Sequence, residues 1–138
     1  MIEQISVFME NKSGRLYTLT KALGDAGIDL TMMTIADTAE FGIVRIITNQ
    51  NDKAIKVIKE AGFTAKTTQL IGIAVDDKPN GLSQTLLKIQ ECGINVEYLY
   101  SIARTEKNSA LILIKVEDVK GVIEILKNAG AELITEIF

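Results

Sequence analysis

The chain contains no histidine and no tryptophan, one cysteine and one proline. Without histidine the usual general base is missing, and with one cysteine a zinc site has no ligand set. Cys92 cannot form an internal disulfide; at the end of an expected helix its role is packing. Aromatics are 5% of the residues, too few to build base-stacking platforms. A formal net charge of −3 offers no basic surface to nucleic acid or anionic membrane. No apolar run reaches the roughly 18–20 residues of a membrane span. Met1-Ile2-Glu3-Gln4 lacks the basic and apolar segments of a signal peptide. These absences set the expectation of a reduced, cytoplasmic protein.

Catalytic constellations are missing as well. Ser13 and Ser101 have no histidine base, and Asp76-Asp77 reads as ordinary loop charge. Neither a G-x-G-x-x-G fingerprint nor a P-loop occurs, so a nucleotide site is unsupported. The expectation is a protein that is not an enzyme and uses no cofactor and no metal.

What is present is a folded composition, 47% hydrophobic and 24% charged, in 138 residues, enough for one ordinary domain or two small ones. The chain is organised around Asn11-Lys12-Ser13-Gly14-Arg15-Leu16. This stretch separates the apolar run Ile5–Met9 from an amphipathic segment. Asp77-Lys78-Pro79-Asn80-Gly81-Leu82 repeats it 66 residues later, again between an apolar run (Ile71–Val75) and an amphipathic segment. A strand, a turn exposing N–H groups and a helix N-terminus together suit a small anion such as a carboxylate.

Periodicity places the elements. Ile2–Met9 reads as a strand, and Ser13 is a candidate N-cap. Leu16, Leu19, Leu23 and Ala26 form one helical face, closed by Gly27. Ile28–Thr38 and Phe41–Thr48 are strands joined at Ala39-Glu40; Ile28, Leu30, Met32, Thr34 and Ala36 share one face by alternation. A second helix buries Ala54, Ile55, Val57, Ile58 and Ala61 and stops at Gly62; Phe63–Thr67 is the fourth strand. The second half reads the same way. Gln69–Val75 is a strand, and Asn80–Cys92 a helix with Leu82, Leu86, Leu87 and Ile89 apolar. Ile94–Arg104 and Ser109–Val116 are strands around the polar turn 105–108. A helix then opens at Asp118, carrying Val122, Ile123, Ile125 and Leu126, and Ala131–Phe138 is the last strand.

Residues repeat along with the pattern. Ala26-Gly27-Ile28-Asp29 answers Cys92-Gly93-Ile94-Asn95, and Ile35-Ala36-Asp37-Thr38 answers Ile102-Ala103-Arg104-Thr105. Lys59-Glu60-Ala61-Gly62 answers Lys127-Asn128-Ala129-Gly130, offset by 68, which calls for two extra residues in the second hairpin. The expected fold is α+β: two ferredoxin-like βαββαβ modules in tandem, 1–68 and 69–138. Small modules without a linker are expected to pack side by side, as an eight-stranded antiparallel sheet with four helices on one face. The opposite face then invites homodimerisation.

This repeat resembles the ACT domain, the amino-acid-sensing module of many metabolic enzymes. Asn11-x-x-Gly14-x-Leu16 resembles that family's D/N-x-x-G-x-L turn, with Ala26-Gly27-Ile28-Asp29 after it. Asp77-Lys78-Pro79, Leu82 and Cys92-Gly93-Ile94-Asn95 supply the second match. The resemblance covers essentially the whole chain and implies a free-standing tandem ACT protein that acts in allosteric regulation. It implies a free amino acid as ligand at an interface between modules, and a partner metabolic enzyme that reads the bound state. Carried over by position, it implies ligand contacts from Asn11, Ser13, Gly14, Arg15 and Leu16, and from Asp77, Pro79, Asn80, Gly81 and Leu82. The start of the second strand adds Ile28, Asp29 and Leu30 in one copy and Ile94, Asn95 and Val96 in the other.

The copies depart from the pattern differently. Asn80 stands at the turn glycine, in a residue type that tolerates left-handed backbone. Ser13 stands where proline is frequent. The first turn is favoured as the working site, because Gly14 allows close backbone approach to a ligand. Gly14 and Gly81 also read as plain strand-to-helix turns, and Lys12, Arg15 and Lys78 as solvated surface charge. A ligand-free interaction or dimerisation module therefore stands as the alternative function.

Overall fold

A computed structural model describes residues 1–36, 40–103 and 109–137. Among them are seven strands and four helices. In chain order these are β1 (Ile2–Glu10), α1 (Arg15–Asp25), β2 (Leu30–Ala36), β3 (Phe41–Thr48), α2 (Asn51–Glu60), β4 (Thr64–Asp76), α3 (Gly81–Glu91), β5 (Tyr98–Ala103), β6 (Ser109–Lys115), α4 (Val119–Asn128) and β7 (Leu133–Ile134). Residues 37–39 and 104–108, which hold Ala39 of the expected first hairpin and the expected polar turn, lie outside the described residues, as does Phe138.

The chain divides into two compact units, Glu3–Thr68 and Met1–Ile2 with Gln69–Phe138. In the first unit β3 lies antiparallel between β2 and β1, and β1 lies between β3 and β4. In the second β6 lies antiparallel between β5 and β4, and β7 pairs antiparallel with β4. Each unit therefore follows the ferredoxin-like order.

Among the described residues the strands number seven, not the expected eight. The fourth and fifth expected strands are one element, Thr64–Asp76, because no glycine, proline or turn residue interrupts Thr64 to Leu70. Gly72, inside this strand, leaves room for its neighbours: a Cβ there would lie 2.6 Å from Ile2 Cδ1 and 2.7 Å from the Ile134 carbonyl. The last strand is shorter than expected, spanning Leu133–Ile134.

Helical periodicity places the core of the first unit. Leu19 and Leu23 of α1 and Ala54 and Ile58 of α2 are fully buried against Ile5, Val7, Val44 and Ile46 of the sheet. Burial of each Leu or Ile is worth about 1.5–3 kcal/mol. In the second unit Val122 and Leu126 of α4 and Ile89 of α3 pack on Ile71, Ile73, Ile112 and Ile114. Of the apolar residues of α3, Leu82 and Leu87 are 38% and 52% exposed, and Ile125 of α4 is exposed too. The buried line of α3 runs instead through Gly81 and Ile89, with Thr85 and Leu86 half-buried, since Gly81 sets the helix close against the end of β4.

All four helices stop alike. Gly27, Gly62, Gly93 and Gly130 each take positive φ, and the next residue's N–H closes back on the helix, as in Ile28 to the Leu23 carbonyl at 3.0 Å. This is the Schellman end that glycine permits. At the front ends, Asp118 caps α4 by accepting from the Gly121 N–H at 3.1 Å. Ser13 does not cap α1; the N-cap is Gly14, with no side-chain cap bond.

Two details of β2 differ from simple alternation. A register shift between Leu30 and Met32 sends Leu30 into the helix-side core and pairs Met32 with Ile47, so these two do not share a face. Register also corrects the internal alignment of the repeat. Ile35 pairs with Val44 and Met9 with Gly42; in the second unit Ser101 pairs with Ile112 and Val75 with Ala110. Ile35 thus answers Ser101 rather than Ile102, and Gly42 answers Ala110. The offset changes from 66 to 68 between these two strands.

Candidate functional site

The two strand-to-helix turns have the same backbone. In the first, the Lys12 N–H donates to the Glu10 carbonyl at 2.8 Å, the Arg15 N–H to the Lys12 carbonyl at 3.3 Å, and the Thr18 N–H to the Gly14 carbonyl at 3.0 Å. In the second, Lys78 donates to Asp76, Gly81 to Lys78 and Gln84 to Asn80, each at 3.0 Å. The residue before each helix is left-handed: Gly14 at φ 86° and Asn80 at φ 67°, Asn80 being the non-glycine residue at positive φ among the described residues. Nothing crowds a Cβ at Gly14, so it is backbone conformation and not space that asks for glycine there. Each turn also carries an ion pair, Lys12–Glu10 at 3.0 Å and Lys78–Asp76 at 3.3 Å. The hydrogen bond and charge of Lys12, with Arg15 nearby, hold the Glu10 carboxyl below the usual carboxylate range.

Because the Arg15 N–H is used within the turn, the helix-start donors ahead of the first helical bond are those of Leu16 and Tyr17. Beside them, toward β2 and β3, lies a cleft of about 180 Å³. It joins Asn11 and Leu16 with Glu10 and Lys12, and is closed by Met9, Ile35, Ala36, Gly42 and Val44. Arg15 points to a different cleft of about 210 Å³, with Phe8, Glu10, Phe41 and Phe63. Ser13 and Gly14 are exposed in the turn itself.

Around the second turn, Asp77, Pro79, Asn80 and Leu82 are exposed. Gly81 is buried, and a Cβ on it would run into the Asp76 carbonyl. It lines a cleft of about 220 Å³ with Asp76, Gln84, Thr85, Lys88 and Glu132, the second unit's counterpart of the Arg15 cleft.

The second-strand positions are not assembled with their own turn. Ile28 is buried in the core, Leu30 packs against it, and Asp29 is exposed ahead of β2. Ile94, Asn95 and Val96 likewise precede β5; Ile94 and Val96 pack on the second core, while Asn95 lines a cleft of about 330 Å³ with Glu97, Asp118 and the half-buried Cys92. In each unit an 11-residue helix separates the turn from these positions. At 1.5 Å per residue that is about 16 Å, beyond the reach of one free amino acid.

The sequence pattern did not include Glu10, Met9, Ile35, Ala36, Gly42 and Val44 in the site. The antiparallel pairings Met9–Gly42 and Ile35–Val44 bring them to the turn, a relation between distant residues that no local motif records. Among the described residues no cluster of histidine, cysteine, aspartate or glutamate could hold a metal, and no helix is long and apolar enough to cross a membrane.

Two ferredoxin-like units, each opening its first helix from a left-handed turn, define a tandem βαββαβ protein. The chain belongs to the ACT domain pair family, whose sequence profile matches residues 1–136. It is similar to the crystal structure of protein BT0572 from Bacteroides thetaiotaomicron, at 36% identity and a TM-score of 0.88, over 96% of this chain and 91% of that one. The regulatory subunit of aspartate kinase from Thermus thermophilus, in a ligand-free form, shares the fold at 16% identity and a TM-score of 0.62, over 92% of this chain and 91% of that one. The same subunit from Thermus flavus does so at 15% identity and a TM-score of 0.60, over 93% and 92%. No curated protein matches the chain.

Proposed function

We propose that the protein is a non-catalytic regulatory protein that senses a free amino acid beside its first turn and modulates a partner metabolic enzyme. The observation that carries this reading is the cleft at Asn11 and Leu16, where the start of α1, an exposed ion pair and an apolar wall meet. Membership of the ACT domain pair family and the fold shared with aspartate kinase regulatory subunits support a regulatory role. The ligand signals by favouring one of two states of the protein, and the partner enzyme reads the shift. Contacts from Asp29 or Asn95 belong to this proposal only as contributions from another module, and homodimerisation is part of it.

The test is a thermal-shift screen against the standard amino acids. A ligand that binds the native state alone raises the melting temperature by mass action. We expect one chemical group of amino acids to do so, and Gly14→Val to abolish the shift.

A second reading is a ligand-free interaction module. Its candidate contacts are the exposed apolar side chains Tyr17 on α1 and Leu87 on α3. A folded protein that no amino acid shifts would select this reading, and light scattering of Tyr17→Ser and Leu87→Ser would then locate the contact.

A further inference from the structure

We propose that the ligand of the first-turn cleft is a small aliphatic amino acid, held as its zwitterion with Glu10 facing the ammonium and Lys12 the carboxylate. This rests on the sensing role proposed above and narrows it to a class of ligand.

The wall of the cleft is aliphatic, from Met9, Leu16, Ile35 and Val44, with Ala36 and Gly42 leaving the space open. Its ionisable lining residues are Glu10 and Lys12. A charged ligand side chain against this wall would lose its hydration and find no partner, whereas an aliphatic one is favoured there. The cleft is small, about 180 Å³, which suits a short branched side chain.

The two charges sit at the cleft with their nitrogen and oxygen 3.0 Å apart and both side chains exposed. A zwitterion laid against this pair meets the opposite charge at each end and leaves neither member unpaired. The carboxyl of Glu10 is already held ionised by Lys12, so it is ready for an ammonium.

The second turn repeats the pair and most of the wall, with Val75, Leu82 and Ile112 answering Met9, Leu16 and Val44, but departs from it at two positions. Strand register puts Ala110 where Gly42 stands and Ser101 where Ile35 stands. A methyl takes up the open space, and a hydroxyl replaces a branched aliphatic side chain. These two positions, Gly42 and Ile35, are what set the first-unit cleft apart.

Isothermal titration of the full chain tests this with L-leucine, L-valine, L-alanine, L-aspartate, L-lysine and L-phenylalanine. Two leucine fragments complete the set: 4-methylpentanoate, which lacks the ammonium, and isopentylamine, which lacks the carboxylate. Leucine or valine should bind, with alanine about tenfold weaker or more, as missing methylenes dictate. Each fragment should bind at least about tenfold more weakly than leucine, having lost one charge contact. Gly42→Val should weaken leucine by about tenfold or more through occupied space. A Cβ at Gly42 meets its neighbours at 3.6–3.7 Å, ordinary contact, so the fold should tolerate it. Ile35→Ser, at an exposed position, should weaken leucine with the fold intact. Tightest binding of aspartate, lysine or phenylalanine would overturn the aliphatic assignment and leave the sensing role standing. Leucine binding unchanged in both variants would overturn the location. Absence of binding by every amino acid would overturn both this inference and the sensing role.

Discussion

The two strand-to-helix turns share their hydrogen bonds, their left-handed residue and their ion pair, but not what surrounds them. At the first helical position stands Arg15 in one and Gly81 in the other. Arg15 is exposed and borders open space, whereas Gly81 is buried against the Asp76 carbonyl. The backbone of the turn is thus set by the residue before the helix, and the room beside it by the first residue of the helix and by the strands opposite. One geometry serves a tight helix start at Gly81 and an open one at Arg15, each beside a cleft of about 210–220 Å³.

Three pairs of substitutions and one single variant test how far the two units differ. The largest difference should come at the first helical position. Gly81→Val should destabilise by about 3 kcal/mol, since its side chain meets backbone that cannot move away. Arg15→Val should stay within about 0.5 kcal/mol, as exposed positions do. Urea unfolding of both variants measures this, and equal losses would remove the distinction between tight and open junctions.

The left-handed residues come next. Gly14→Ala should cost about 1–2 kcal/mol for placing a Cβ at φ 86°. Asn80→Gly should be neutral or slightly stabilising, because Asn80 already holds φ 67°. A smaller contrast concerns capping. Asp118→Ala should cost about 1 kcal/mol by removing the bond to the Gly121 N–H. Ser13→Ala should change stability by less than about 0.5 kcal/mol, α1 having no side-chain cap.

The smallest effect should be the ion pair of the first turn. The folded-state pKa of Glu10 is lowered, so its contribution is present above the usual carboxylate range and is lost as pH falls through the lowered value. Both side chains are exposed, so solvent and salt screen the pair. Stability curves of wild type and Glu10→Gln should differ slightly at neutral pH and converge in acid, less so at high salt. A gap that widened in acid would contradict the sign.

Much of the fold was legible in local pattern. Leu19, Leu23, Ala54 and Ile58 announce their buried faces by helical spacing, and each helix announces its end by a glycine. Asn80 was legible as a left-handed residue because asparagine is among the few side chains that accept that conformation. The merged strand Thr64–Asp76 was not, since strand periodicity cannot tell one long strand from two abutting ones. Nor was the outward turn of Leu87, which depends on how closely Gly81 lets α3 approach the sheet. Of the candidate site, Asn11 and Leu16 could be read from the turn itself. Ile35, Gly42 and Val44 could not, because strand pairing and not spacing carries them there.

In the sensing role proposed here, the ligand sits in the cleft beside Asn11 and Leu16. The most direct measurement is a titration of ¹⁵N-labelled protein with L-leucine, followed by amide chemical shifts. Saturable shifts centred on Asn11, Leu16, Ile35 and Gly42, with Gly81 and Ala110 unmoved, are the predicted result. Shifts centred on Gly81 and Glu132, or none at any concentration, would contradict it.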